Sequence, residues 1–167
     1  VCCALAWCQG GHAQDWLLST DADGDGVADG WASNSDAGEA EFSLAPFPPG
    51  TKVQSVVGKA ANDGIYRRIE GLDPAETYLL TALVNVEKGG ITWGPEGVKS
   101  KYLHGYGRWV ESRQTFTGHD SVSVVFYTLV PEAKFQVERL KLRPVNMLAS
   151  ELPVEEEIGL PLVPRPQ

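Results

Sequence analysis

The apolar residues of this chain recur in short runs, mostly with a period of two, and no window carries the 3.6-residue period of a helix. Strand-like runs fall at residues 15–19, 40–44, 53–57, 64–70, 77–87, 91–93, 109–116, 122–129 and 133–142. Turn-forming stretches such as Phe47-Pro48-Pro49-Gly50 and Gly71-Leu72-Asp73-Pro74 separate them. This rhythm excludes a helical domain. Eight or nine short strands so spaced predict an all-β fold, an antiparallel β-sandwich of the jelly-roll kind.

Alternation within each run assigns faces. Ile65, Arg67 and Ile69 share one face of their strand, while Tyr66, Arg68 and Glu70 share the other. Val122, Val124 and Phe126 point one way and Tyr127 the other. Residues 77–87, the longest apolar run, predict a central strand covered on both faces. In the last strand Ala133, Phe135 and Val137 hold one parity, but Leu140 and Leu142 hold the other. That switch predicts a β-bulge at Glu138-Arg139.

The net charge of −8 is unevenly placed. Residues 1–51 carry eight acids and no base, whereas residues 52–144 carry thirteen bases and ten acids. An acidic total of this size excludes non-specific attraction to nucleic acid or to an anionic membrane surface. All three cysteines lie in the uncharged opening VCCALAWCQGGHA, whose apolar run is too short to insert into and span a membrane. Residues 1–13 read as the remnant of a signal peptide, with Gly11 and Ala13 at the −3 and −1 places. The expectation is a secreted protein (extracellular, periplasmic or cell-surface) with no cysteine in its mature form. Residues 145–167 hold Glu155-Glu156-Glu157 and four prolines, which predicts a linker towards a further domain beyond Gln167. One domain over residues 15–144 remains.

Its densest chemistry is Asp21-Ala22-Asp23-Gly24-Asp25-Gly26-Val27-Ala28-Asp29. Carboxylates at alternate places in a tight glycine-bearing loop converge on one centre, and hard oxygen ligands suit Ca²⁺. Asp21, Asp23 and Asp25 take the first, third and fifth places of such a loop, Val27 offers its carbonyl, and Asp29 ligates directly or through water. The twelfth place, where an EF-hand needs a bidentate glutamate, is Ala32, and no helix flanks the loop. The expected role is a structural calcium site, with Glu138 at the parity switch as a further ligand.

The strand order, the loop DADGDGVADGW and the segments GIYRRIEGLDPAETYLLTALVNV, GRWVESRQTFT, SVSVVFYTL and FQVERLKLRP together resemble a known group. They are similar to the carbohydrate-binding-module-like, galactose-binding-domain-like β-sandwiches appended to secreted bacterial glycosidases and lyases. The resemblance covers residues 15–144 and implies a sandwich with calcium at its edge and a ligand from the last strand, the place of Glu138. Arg139 stands where many relatives have a second acid. Leu18-Ser19-Thr20-Asp21 replaces an N-terminal segment that supplies another ligand in many of them. The tail LPLVPRPQ looks like the opening of the domain that precedes the barrel of β-N-acetylhexosaminidases.

The resemblance implies a polysaccharide or glycan ligand and a catalytic domain in the same polypeptide. Sugar rings stack their C–H faces on exposed aromatics and hydrogen-bond through their hydroxyls. Candidate contacts are Trp93, Tyr66, Arg68, Tyr102, Tyr106 and Tyr127, whereas Trp16, Trp31 and Trp109 read as packing residues. No nucleophile elbow, zinc-protease motif or phosphate loop occurs, and Glu70, Glu87, Glu96 and Glu111 read as surface charges. The sequence therefore predicts a non-catalytic carbohydrate-binding module. A calcium-stabilised spacer or adhesion module and a small sandwich lyase or hydrolase are the competing readings.

Overall fold

The structure, a computed structural model, describes residues 13–145 apart from Ala37 and Lys99. The three cysteines, nearly all of the expected signal-peptide remnant and all but the first residue of the linker lie outside the described residues. Eleven strands form two antiparallel sheets. They are β1 (Gln14–Leu17), β2 (Ala32–Asn34), β3 (Glu41–Phe47), β4 (Thr51–Val57), β5 (Gly64–Ile69), β6 (Thr77–Lys88), β7 (Gly90–Pro95), β8 (Lys101–His104), β9 (Trp109–Thr117), β10 (Val122–Thr128) and β11 (Lys134–Pro144). One sheet runs β3-β4-β11-β6-β9 with β1 also on β11, and the other runs β2-β5-β10-β7-β8. The expected all-β sandwich is present, with two strands more than the apolar runs marked. β2 and β8 are the edges of the second sheet, three and four residues long, and carry no alternating apolar pattern.

The inward faces follow the predicted parities. Ile65, Val122, Val124, Phe126, Phe135, Val137, Leu140 and Leu142 are all buried in one core. At its centre Trp93 stacks on Phe126 at 5.5 Å with the rings 5° apart, and Trp31 meets the same Phe126 at 5.8 Å. Burial of each such side chain contributes roughly 1.5–3 kcal/mol. The Trp93 indole N–H donates to Ser112 Oγ of β9 at 2.9 Å, so a hydrogen bond crosses from one sheet to the other inside the core.

β11 pairs with β6 along its length, and the register shifts between Val137 and Arg139. The bulge expected at Glu138 is therefore present. It also marks a change of partner on the other edge of β11. Before it Lys134–Val137 pair with β4, and after it Arg139–Leu142 pair with β1. The extra residue returns Leu140 and Leu142 to the core.

One expectation fails on β6. Tyr78, Leu80, Ala82, Val84 and Val86 are buried, but Thr77, Leu79, Thr81 and Leu83 are only half-buried. The cause is position: β6 has one face in the core and the other on the outside of its sheet, so it is not covered equally on both. That outer face is partly closed by the β3–β4 hairpin. Phe47 and Trp109 stand on the two opposite edge strands, yet their rings meet edge-on at 5.0 Å. The sheet must curl for this contact to form. Trp109 is a packing residue, as expected.

Candidate functional site

Directly opposed residues of an antiparallel sheet share a face. On the five-stranded sheet Tyr127 opposes Gly64 on one side and Thr92 on the other, and Thr92 opposes Tyr102. Tyr66 opposes Val125, and Arg68 opposes Ser123. Core-facing Phe126 and Ile65 fix the inner side, so Tyr66, Arg68, Tyr127 and Tyr102 all project from the outer face. Tyr102 lies two strands from Tyr127, about 10 Å. Gly64 is needed here because a Cβ would meet the Phe126 carbonyl and the Tyr127 ring. Tyr127 and Tyr102 share one row across the strands, Tyr66 lies one row along beside Val125, and Tyr102 is 64% exposed.

The polar groups around these rings are distinct in charge. Arg68 donates to Glu70 and to Ser121 Oγ, both at 2.9 Å, which holds its guanidinium flat along the strand. The backbone N–H of Glu96 donates to the Ser123 carbonyl at 2.8 Å, placing Glu96 beside the row that contains Arg68. Burial, then the charge of Glu96, then Tyr66 and then Asp36 push the Tyr127 phenol up to about 12. Glu96 and Asp36 therefore bear on the same spot as the two tyrosines. Thr92 Oγ1, between Tyr127 and Tyr102, is buried without a hydrogen-bond partner among the described residues.

Two candidates do not join this face. Trp93 is wholly buried, because its parity on β7 matches that of Ile91 and points into the core. It stacks on Phe126 rather than on a ligand. Tyr106 stands in the loop after β8, 71% exposed, with the Arg108 guanidinium 5.4 Å from its ring centre. Its backbone is tied to Val86 at the end of β6, away from the row of tyrosines.

The aspartate loop follows β1 and packs on the β3–β4 hairpin. Ligand oxygens of Asp21, Asp23 and Asp25 lie within 4.8 Å of one another. Asp21 accepts the N–H groups of Gly24 at 2.8 Å and Gly26 at 3.0 Å, and Asp25 accepts that of Val27 at 2.8 Å. The N–H of Asp25 pulls the Asp23 carboxyl down, but the Asp21 and Asp25 carboxylates outweigh it and hold Asp23 above its ordinary range. Three crowded, oxygen-only donors that repel one another fit a hard divalent cation.

Asp29 and Glu138 stand outside that cluster among the described residues. Asp29 closes the loop instead, because it accepts the N–H of Ala22 at 2.9 Å and bonds the Thr20 hydroxyl. Those two donors hold it below the usual carboxylate range. Glu138 lies beside Arg139 at 3.2 Å, and its carbonyl takes the Leu18 N–H. Its Oε2 is buried without a hydrogen-bond partner among the described residues. Val27 buries its side chain in the core and so anchors the loop.

Sequence reading missed Gln54, which is fully buried. Its Nε2 donates to the carbonyls of Gly26 at 2.9 Å and Ser43 at 3.2 Å, while its Oε1 accepts the N–H of Ala28 at 2.6 Å. Gln54 shares the inward parity of Val56, and that parity was the available signal.

No protein-family model matches the sequence, and no curated protein does. Solved structures do match. The CBM22-1 xylan-binding domain of Paenibacillus barcinonensis Xyn10C superposes with a TM-score of 0.58 at 11% identity, covering 83% of this chain and 98% of that one. The fold is that of carbohydrate-binding modules. CBM1 of BiXyn10A in its apo form gives 0.55 at 12% identity over 77% of this chain and 95% of that chain. The CBM22-1–GH10 modules of Clostridium thermocellum xylanase Xyn10B, complexed with xylohexaose, give 0.52 at 14% identity over 69% of this chain and 26% of that one. At these identities the likeness is one of fold.

Proposed function

We propose that the chain is a non-catalytic glycan-binding module, and that its ligand lies across the five-stranded sheet on Tyr66, Tyr127 and Tyr102. The observation that carries this reading is that those three rings and Arg68, from three strands, project from one outer sheet face. Stacked rings supply contact with sugar C–H faces, and Arg68, Glu96 and Thr92 offer polar partners to hydroxyls. The fold shared with xylan-binding modules supports a polysaccharide ligand. The pairing of such a module with a GH10 catalytic module supports a role as ancillary part of a secreted glycan-degrading enzyme.

Ca²⁺ held by Asp21, Asp23 and Asp25 is part of the proposal. It would supply charge compensation to the loop and no chemistry to the glycan. The test is affinity electrophoresis through gels containing xylan, soluble β-glucan or galactan. Retention by at least one polymer, weakened about tenfold (~1.4 kcal/mol) by Tyr66→Ala and by Tyr127→Ala, is the expected result. Retention that survives both substitutions moves the site elsewhere. Absence of retention leaves the spacer reading.

A further inference from the structure

We infer that Glu96 and Asp36 act as a charge filter on the tyrosine face, admitting uncharged glycan chains and turning away chains that carry uronate or sulfate groups. This rests on the glycan-binding reading of the same face. Glu96 stands at the end of β7, tied through its backbone to Ser123, and so borders the row that holds Arg68. Asp36 follows β2, the strand beside Tyr66, in which Ala32 opposes Tyr66 and Asn34 opposes Gly64. The two acids thus flank the face on its two sides, Glu96 at the end of β7 and Asp36 beyond the end of edge strand β2. Among the described residues no ion pair holds either of them, whereas the neighbouring cation Arg68 is already bound to Glu70.

This placement accords with the rise of the Tyr127 phenol, which comes first from burial and then from the charge of Glu96, from Tyr66 and from Asp36. A second anion placed on Tyr127 meets the same field as the phenolate that is suppressed there. At about 0.1 M salt the screening length is about 10 Å, so a ligand carboxylate is repelled wherever the bound chain passes close to either acid. A neutral sugar meets no such repulsion, and each carboxylate accepts hydroxyl hydrogen bonds from it. Specificity here comes from excluding the wrong ligand rather than from gripping the right one more tightly.

The experiment uses two matched polymer pairs with the whole chain: soluble β-glucan against its C6-carboxylated form, and unsubstituted xylan against glucuronate-bearing xylan. The quantity read is the ratio of affinities within each pair at low salt. The expected ratio favours the neutral member by about tenfold or more, narrows as salt is raised, and collapses towards unity in the Glu96→Gln/Asp36→Asn double variant. Thermal melting of the variant confirms that it is folded. A native chain that binds both members alike overturns the inference, as does a ratio that the double variant leaves unchanged. Failure to bind any of the four polymers and galactan as well overturns the glycan reading itself, and the filter falls with it.

Discussion

The Gln54 side-chain amide donates to the carbonyl of Gly26 at 2.9 Å, joining β4 to the middle of the aspartate loop. The same amide accepts from Ala28 two residues further on, so one buried side chain sets the path of the loop. Gln54→Ala leaves a buried N–H and a buried carbonyl without partners, a cost of about 3 kcal/mol in unfolding free energy. A loss under about 1 kcal/mol in urea titration would show that the loop holds its shape without it.

Gly26 itself admits no side chain. Its φ is +86°, and a Cβ would strike the backbone of Phe42. Gly26→Ala should cost about 2 kcal/mol through strain and displacement of the loop. By contrast Gly24→Ala, with a φ of +76° but open space around it, should cost less. Equal melting temperatures for the two variants would contradict the close packing on Phe42.

Proposed Ca²⁺ binding predicts that saturating calcium raises the melting temperature and that chelation lowers it. A ligand at one hundred times its dissociation constant stabilises by about 2.7 kcal/mol. Asp23→Asn and Asp25→Asn should abolish the calcium response. Asp29 adds a pH dependence of its own. Its carboxyl is depressed in the folded loop, so its contribution is present above the ordinary carboxylate range and is lost as pH falls through the depressed value. Asp29→Asn removes that acid-side loss. A melting temperature indifferent to calcium and chelator alike would remove the metal from the account.

Trp93 and Tyr66 separate packing from binding. Trp93→Ala empties the centre of the core and removes the bond to Ser112, a cost of about 3–5 kcal/mol. Tyr66→Ala, on the outer face, should change stability far less while weakening glycan retention. Paired denaturation and gel-retention measurements on both variants check this. A stable Trp93→Ala variant that simply loses retention would return Trp93 to the ligand site.

Tyr127 should ionise near pH 12 in the folded chain, against about 10 for an ordinary phenol. A raised phenol is favoured in its neutral form by the fold, so its contribution is present below pH 10 and fades between 10 and 12. Ultraviolet titration of the native and urea-unfolded chain should show one late tyrosine that becomes ordinary on unfolding. No difference between the two titrations would place Tyr127 in open solvent.

The strands that could be read from the sequence were those with enough apolar residues to declare a face. Even the bulge at Glu138 was visible, because a parity switch has few other causes. β2 and β8 were not, because a short edge strand gains its place from a neighbour's backbone rather than from its own apolar side chains. Parity also placed Tyr66, Arg68 and Tyr127 correctly. Trp93 was misjudged because it was grouped with the exposed tyrosines as a sugar contact, although Ile91 two residues earlier in the same strand-like run shares its face. The ligand roles expected of Asp29 and Glu138 followed from a spacing rule and a resemblance, neither of which encodes which carboxylates lie within 4.8 Å of one another. Glu96 and Asp36 gave no signal, since their meaning arises only when β7 and the turn after β2 approach one tyrosine.

β11 is the last strand of the sandwich to leave the ribosome, yet it lies between β4 and β1 on one edge and β6 on the other. Until it arrives, β1 has no partner in its sheet and β4 has only β3. The six-stranded sheet therefore cannot be completed until its last strand is available. Without β11 the six-stranded sheet is left in three pieces, an unpaired β1, the β3–β4 hairpin and the β6–β9 pair, and joining them is a late event, the slow route characteristic of pairings distant in sequence.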